Sequence, residues 1–184
     1  SYQKALALKP NFIEVYYHLA LLFREFGQPD KAVVNLQKAL AIKPDYTPAL
    51  LNLGALSHEL HDTEGAITNY QKALAHQPDF AEAHNNLGAA LQTQGRFDEA
   101  VASYRKAIGL RPNYAEASNN LGLALRELAM TTDLRTLPPV IQHPMDEAIA
   151  SYREALDLKP NYAEAHYNLA NAFQDIGQLD ESAA

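Results

Sequence analysis

The sequence predicts an all-α protein built as a linear array of repeated helix pairs. The first observation is a period of 34 residues, marked by Pro10, Pro44, Pro78 and Pro112. The second is that each copy contains two stretches whose apolar residues follow the spacing of an amphipathic helix. A fixed period between about 20 and 50 residues is typical of solenoids, in which neighbouring copies bury one continuous core.

The copy over residues 81–114 shows why the first half of each repeat is a helix. Its apolar residues share one face: Ala83, Leu87, Ala90 and Leu91. Gly95 is expected to end this helix, because glycine readily adopts the left-handed conformation at a helix terminus. Elsewhere in the chain, Gly27 and Gly177 stand at the same position. His61 and Asp62 replace this glycine in the second copy, so we expect that turn to differ.

The second half of the same copy is also helical. Asp98 and Glu99 suit the positive end of the helix dipole, and Pro112 cannot continue the helix. The apolar stripe of this helix is formed by Val101, Tyr104, Ala107, Ile108 and Leu110. The small residues Gly88 and Ala107 indicate close contact between helices.

The spacing of a small-residue pair, an aromatic residue and a closing proline resembles the tetratricopeptide repeat. The pattern is carried by Leu87, Gly88, Ala100, Tyr104, Ala107 and Pro112, with His84 in place of the usual tryptophan. The resemblance covers nearly the whole chain. It implies antiparallel helix pairs stacked into a right-handed α-solenoid, a superhelix with a concave groove.

The period divides the chain into one array of complete and partial repeats, with about ten helices. In order these are a partial repeat 1–12 (a second helix), repeats 13–46, 47–80 and 81–114, a repeat 115–162 with an insertion, and a partial repeat 163–184 (a first helix and the start of a second). Both ends fall within a repeat, so residue 1 is not expected to be the native start. Uncovered terminal helices also predict end-to-end contacts between chains, or fraying.

The insertion adds fourteen residues within 129–145, since Pro160 follows Pro112 by 48 residues rather than 34. Pro138, Pro139 and Pro144 exclude one long helix, so these residues connect the two helices of the repeat, and helix resumes near Pro144 or Met145. The segment is either a tolerated surface loop, dispensable for folding, or a loop that contacts a partner or gates the groove. Its apolar residues favour some packing: Leu137, Val140 and Ile141.

Composition excludes several classes of function. The formal net charge is −7 and no basic patch is present, which argues against nucleic-acid binding. The longest apolar run, 19–23, is far shorter than the ~20 residues of a membrane helix. The chain has no cysteine, so neither disulfides nor thiolate metal sites form. No signal peptide is seen, and we expect a cytoplasmic location, although the cysteine count does not decide the compartment.

No catalytic constellation or phosphate-binding loop is found, so we expect a protein that is not an enzyme and uses no cofactor. The histidines do not form a metal site, because His58 and His61 lack a third ligand nearby, and His84 and His166 are about two repeats apart. The paired acids Asp98 and Glu99 recur in register and are interpreted as helix-start residues.

With Ala81 counted as repeat position 1, positions 2, 5, 6, 9, 12 and 13 of each first helix lie opposite its apolar stripe. We call this the first-helix face, and in a superhelix it lines the concave groove. Ten residues of this face are candidates for contact with a peptide: Asn52, Asn86, Asn120, Asn168, Tyr17, Asn85, Asn119, Tyr167, Arg24 and Arg126. The four asparagines at position 6 form a ladder, and each amide can donate to and accept from a peptide backbone. Alternatively, each satisfies backbone groups of a neighbouring helix.

The Asn-Leu-Gly sequence, the Pro-Asn-Tyr-Ala-Glu-Ala junctions and the asparagine ladder resemble the repeat array of O-linked N-acetylglucosamine transferases. In that family the array binds protein substrates and a separate domain transfers the sugar. A carboxylate clamp for chaperone tails is rejected, because position 2 carries glutamate where the clamp needs lysine. We expect a protein-interaction scaffold that holds an extended peptide or a partner protein in its groove. The alternatives are the substrate-recognition arm of a larger glycosyltransferase and a self-assembling structural unit.

Overall fold

The computed structural model describes residues 12–131 and 143–183, without the side chains of 178–183. Within these residues every regular element is an α-helix. The helices are, in order, α1 Ile13–Glu25, α2 Pro29–Ile42, α3 Thr47–Glu59, α4 Thr63–His76, α5 Ala81–Thr93, α6 Phe97–Leu110, α7 Ala115–Thr131, α8 Pro144–Leu158 and α9 Ala163–Ala183. The all-α class predicted from the repeat is therefore confirmed.

The chain forms two compact units, Ser1–Ala90 and Leu91–Ala184, and α5 contributes to both. In the first unit α1 packs on α2, α2 on α3 and α3 on α4. In the second unit α7 packs on α6 and α8, and α9 packs mainly on α8. Three-residue turns join α1 to α2 and α3 to α4, so these helices form the antiparallel hairpins expected from the period.

Small residues let the helices approach closely, as the sequence predicts. In each described helix pair, the second helix carries two alanines with no exposed surface: Ala32, Ala39, Ala66, Ala73, Ala100, Ala107, Ala148 and Ala155. Gly54 and Gly122 face a tyrosine ring of the following helix. A Cβ atom at either glycine would lie 2.6 Å from Cε1 of Tyr70 or Tyr152, respectively, so only glycine fits there without a shift.

The turns between first and second helices share one backbone conformation. Gly27 and Gly95 have φ of 66° and 73°, and His61 at the same repeat position has φ of 64°. The residue after each of them donates its backbone N–H to the preceding helix; in the second turn Asp62 N donates to Ser57 O at 2.8 Å. The expectation that this turn differs is wrong, because the same hydrogen bonds close it whichever residue stands there.

Gly177 does not end α9, which continues to Ala183. The expectation that this glycine terminates the helix, with a second helix starting beyond it, is therefore wrong. Glycine permits the left-handed conformation but does not require it, and within a helix it costs only about 1 kcal/mol relative to alanine. Gly177 accordingly keeps a negative φ, unlike Gly27 and Gly95.

The insertion begins and ends in helix. Helix α7 extends to Thr131, and α8 begins at Pro144, where a helix was predicted to resume. The intervening residues 132–142, including those expected to pack, lie outside the described residues. The same holds for residues 1–11, where a second helix was predicted. The nature of the connection and the end-to-end contacts stay predictions.

Candidate functional site

In the first unit the first-helix face brings side chains of successive first helices together. Asn52 of α3 donates from Nδ2 to Tyr17 Oη of α1 at 3.3 Å, and also to Pro48 O at 2.9 Å, one turn earlier in its own helix. Both Tyr17 and Asn52 are half-buried. The Tyr17 ring also meets the Tyr46 ring edge-on, with centroids 5.6 Å apart. The candidates Tyr17 and Asn52 are therefore in direct contact.

Helix α5 carries two adjacent candidate amides. Asn85 is buried, with 8% of its surface exposed, whereas Asn86 is half-buried. Asn85 Nδ2 donates to Asn86 Oδ1 at 3.4 Å. Asn86 is therefore the more accessible of the two to a ligand.

In the second unit two candidate amides of successive first helices are buried together. Asn119 of α7 has no exposed surface and Asn168 of α9 has 7%. Asn168 Nδ2 donates to Asn119 Oδ1 at 3.1 Å, and Asn119 Nδ2 donates to Glu164 Oε1 at 3.4 Å. These bonds link two successive first helices. At this pair the asparagines bind side chains of the neighbouring first helix, not the backbone groups that the alternative named. Asn120 is half-buried and Tyr167 is exposed.

Both candidate arginines form ion pairs with an acid of the next first helix. Arg24 of α1 binds Glu59 of α3 in the first unit. In the second unit Arg126 Nε of α7 lies 2.5 Å from Asp175 Oδ2 of α9. The hydrogen bond to Asp175 raises the pKa of Arg126 above its ordinary value, although burial opposes this. The positive charges of the face are therefore already compensated by its own acids.

A buried tyrosine of the second helix lies beneath each of these ion pairs. Burial raises the pKa of Tyr70 and of Tyr152 above the ordinary value, because desolvation disfavours phenolate. At Tyr70 the charge of Arg24 opposes this rise in pKa, whereas the charges of Glu59 and Glu82 add to it.

The first unit contains an open pocket of about 250 Å³ on this face. Its walls come from α1, α3, α4 and α5, with the following lining residues: Arg24, Ala55, His58, Glu59, Tyr70, Asn86 and Ala89. Ala55 and Ala89 share repeat position 9, where a small side chain leaves the space open. Sequence reasoning missed Tyr70 here, because this tyrosine belongs to the apolar stripe of a second helix. The small residues at position 9 could have indicated the pocket.

The described residues show no group of three or more His, Cys, Asp or Glu that could hold a metal ion. Among the described helices none combines the length and the apolar character needed to cross a membrane.

Family models match in three parts of the chain. A model described as tetratricopeptide repeat matches residues 81–114, a second one matches residues 1–34, and a TPR repeat model matches 57–95 and 145–177. Together the matches cover more than half of the sequence, and one coincides with the repeat predicted at 81–114. The chain belongs to the tetratricopeptide repeat family.

Solved structures of this family share the fold. MamA is 25% identical with a TM-score of 0.73, over 89% of this chain and 87% of MamA. PilF of Pseudomonas aeruginosa is 26% identical with a TM-score of 0.73, over 90% of this chain and 69% of PilF. YrrB, described as a TPR protein with an unusual peptide-binding site, is 20% identical with a TM-score of 0.77, over 96% of this chain and 84% of YrrB. Comparison with curated protein sequences finds no match. The α-solenoid class predicted from the sequence is confirmed.

Proposed function

We propose that the chain is a non-catalytic protein-interaction scaffold that holds an extended peptide segment on its first-helix face. The observation that carries this proposal is the pocket of the first unit, which is open to solvent and lined by the half-buried Asn86. Asn52, also half-buried, stands at the same repeat position one helix pair earlier. The amides of Asn52 and Asn86 therefore stand on helices one repeat apart, and the second of them lines the pocket.

Primary amides suit recognition of a peptide backbone, because each offers two donors and one acceptor. A site built on helices is also held in place before the ligand arrives, which lowers the entropic cost of binding. The same fold carries a peptide-binding site in YrrB, but at 20% identity that likeness extends only to the fold. The assignment of residues consequently rests on this chain alone.

The test is binding of peptides selected from a random twelve-residue display library against the intact chain. We expect Asn52→Ala and Asn86→Ala each to weaken binding of a selected peptide about 2- to 10-fold, the usual range for one net hydrogen bond. Fluorescence anisotropy with a labelled peptide measures this change.

Asn69→Ala is the matched control. Asn69 of α4 donates to Gly65 O at 2.8 Å, the same one-turn hydrogen bond that Asn52 makes to Pro48 O at 2.9 Å, but it belongs to a second helix. The control should leave affinity unchanged. Equal losses in all three variants, or none, would contradict binding on the first-helix face.

The buried pair of the second unit should behave differently. Asn168→Ala leaves the buried Asn119 Oδ1 without its donor, so we expect about 1–3 kcal/mol less stability. Asn86 is half-buried and accepts only a long bond, 3.4 Å, from Asn85, so Asn86→Ala should cost less, under about 0.5 kcal/mol. Urea denaturation of both variants separates a structural amide from one that is available to a ligand.

A further inference from the structure

The pocket of the first unit is small. At about 250 Å³ it is smaller than the roughly 300–1,000 Å³ of sites that enclose a drug-sized ligand. Ala55 and Ala89 keep it open, and the ring of Tyr70, only 2% exposed, is buried at its wall. One long side chain of a bound segment could enter between α3 and α5.

Three groups of the pocket can accept a hydrogen bond from a ligand. Glu59, the Tyr70 hydroxyl and the Asn86 amide all supply acceptor oxygens. Glu59 already binds Arg24, but a carboxylate has about four acceptor sites, so one guanidinium contact leaves capacity for another donor. The Glu59 side chain is also 51% exposed, which makes it accessible from solvent.

The surrounding charge favours a cation. On the first-helix face of this unit the carboxylates are Glu14, Glu25, Glu59 and Glu82, and Arg24 is the guanidinium. Arg24 is paired with Glu59, so the remaining acids leave this face negative. Arg24 and Glu59 balance each other in the pocket lining, but the other acids of the face and the formal net charge of −7 attract cations toward it.

We propose that this pocket receives a lysine or arginine side chain, so that the partner presents a basic segment. This inference rests on the proposed function, since it names the chemistry of the peptide held on the same face. The incoming cation hydrogen-bonds the Glu59 carboxylate and competes there with Arg24. No covalent step is involved.

The experiment uses three labelled peptides of four Gly-Ser-Xaa units, in which Xaa is lysine, glutamine or glutamate. Binding to the intact chain is measured by anisotropy at low salt, and the site by amide shifts in ¹⁵N spectra. We expect the lysine peptide to bind at least about 5-fold more tightly than the glutamine peptide, and to shift Glu59, Asn86 and Ala89. Its affinity should fall with added salt.

Two substitutions with opposite expected effects test the pocket itself. Glu59→Gln should weaken binding of the lysine peptide about 3- to 10-fold, because a charge-assisted hydrogen bond is lost. Arg24→Gln should strengthen binding about 2- to 5-fold, because it removes the competing cation from Glu59. Both residues are solvent-exposed, so unchanged thermal melts are expected to show that the variants fold.

Glu154→Gln, at an exposed carboxylate of α8, is the control for net charge alone and should change affinity less than about 2-fold. Reversed signs for Glu59→Gln and Arg24→Gln, or tighter binding of the glutamate peptide, would overturn the inference. If the glutamine and lysine peptides bind equally on the first-helix face, the basic partner is wrong but the proposed function stands. If a peptide selected from the library binds but causes no amide shifts on the first-helix face, the proposed function itself is contradicted.

Discussion

Tyr104 and Tyr152 occupy the same repeat position, but their hydroxyl groups have different surroundings. Tyr104 is 1% exposed and donates to Gln92 Oε1 at 3.0 Å. Tyr152 has no exposed surface, and in the described part of the chain its hydroxyl has no hydrogen-bond partner. The residue equivalent to Gln92 is Arg126, which only donates and is bound to Asp175. A single substitution in the first helix thus decides whether the buried hydroxyl is satisfied.

Replacing these tyrosines by phenylalanine should have unequal effects. Tyr104→Phe leaves Gln92 without its donor and should cost about 0.5–1.5 kcal/mol of stability. Tyr152→Phe removes a buried hydroxyl that lacks a partner, so stability should stay constant or rise. Urea denaturation checks both. An equal loss in the two variants would show that the Tyr152 hydroxyl is satisfied in solution.

Two glycines of the second unit allow a matched test of close helix packing. At Gly122 a Cβ atom would lie 2.6 Å from the buried Tyr152 ring, whereas at Gly109 it would meet nothing within 4 Å. Gly122→Ala should destabilise the protein by about 1–3 kcal/mol through overpacking. Gly109→Ala should stabilise it by up to about 1 kcal/mol, because alanine is the better helix former. Thermal melts that move in the same direction for both variants would contradict this packing.

At the scale of the element, the turn after each first helix is set by its backbone hydrogen bonds. His61 adopts the left-handed conformation of Gly27 and Gly95, and Asp62 then caps α4 by accepting from Gly65 N at 3.0 Å. A residue with a Cβ atom is disfavoured in this conformation by roughly 1–2 kcal/mol. The second turn therefore keeps the shared geometry at an energetic cost.

His61→Gly should relieve this strain. We expect a gain of about 0.5–1 kcal/mol in stability, because the exposed His61 side chain contributes little burial and glycine adopts positive φ freely. The complementary change, Gly95→Ala, introduces a Cβ atom at a φ of 73° and should cost about 1 kcal/mol. Chemical denaturation of both variants measures the difference, and a loss of stability in His61→Gly would refute the strain.

At the scale of the whole molecule, both units depend on buried tyrosines that must stay neutral. Burial raises the pKa of Tyr70, Tyr104 and Tyr152 above the ordinary value of about 10. Above that pH the unfolded chain binds fewer protons than the folded chain, so the free energy of unfolding falls as pH rises. The stabilisation is complete below about pH 10 and is lost as the pH approaches the raised values.

We therefore expect the urea midpoint to be nearly constant between pH 8 and 9 and to fall between pH 10 and 11.5. Tyr104→Phe removes one of the three groups and should make this alkaline decline shallower. A flat profile up to pH 11.5, or the same slope in the variant, would contradict the role of the buried phenols.

The sequence by itself determined the helices and their order. The 34-residue period indicated where most of the described helices begin and end, because glycine and proline bias the local backbone. The buried faces followed for the same reason, because residues spaced by one helical turn share a side: Ala83, Leu87, Val101 and Tyr104 are all buried as predicted. The local rule failed at His61 and Gly177, where hydrogen bonds and helix continuity decided the conformation instead.

Only the tertiary structure decided which polar residues of the first-helix face are accessible. Asn52 and Asn168 share one repeat position, but Asn52 meets the hydroxyl of Tyr17 and stays half-buried, whereas Asn168 meets the amide of Asn119 and is buried. The pocket beside Tyr70 likewise requires residues from four helices. The physical reason is that the exposure and the hydrogen bonds of a side chain depend on the neighbouring helix. A repeat pattern records spacing along the chain, but not which side chain of the neighbouring helix each residue contacts.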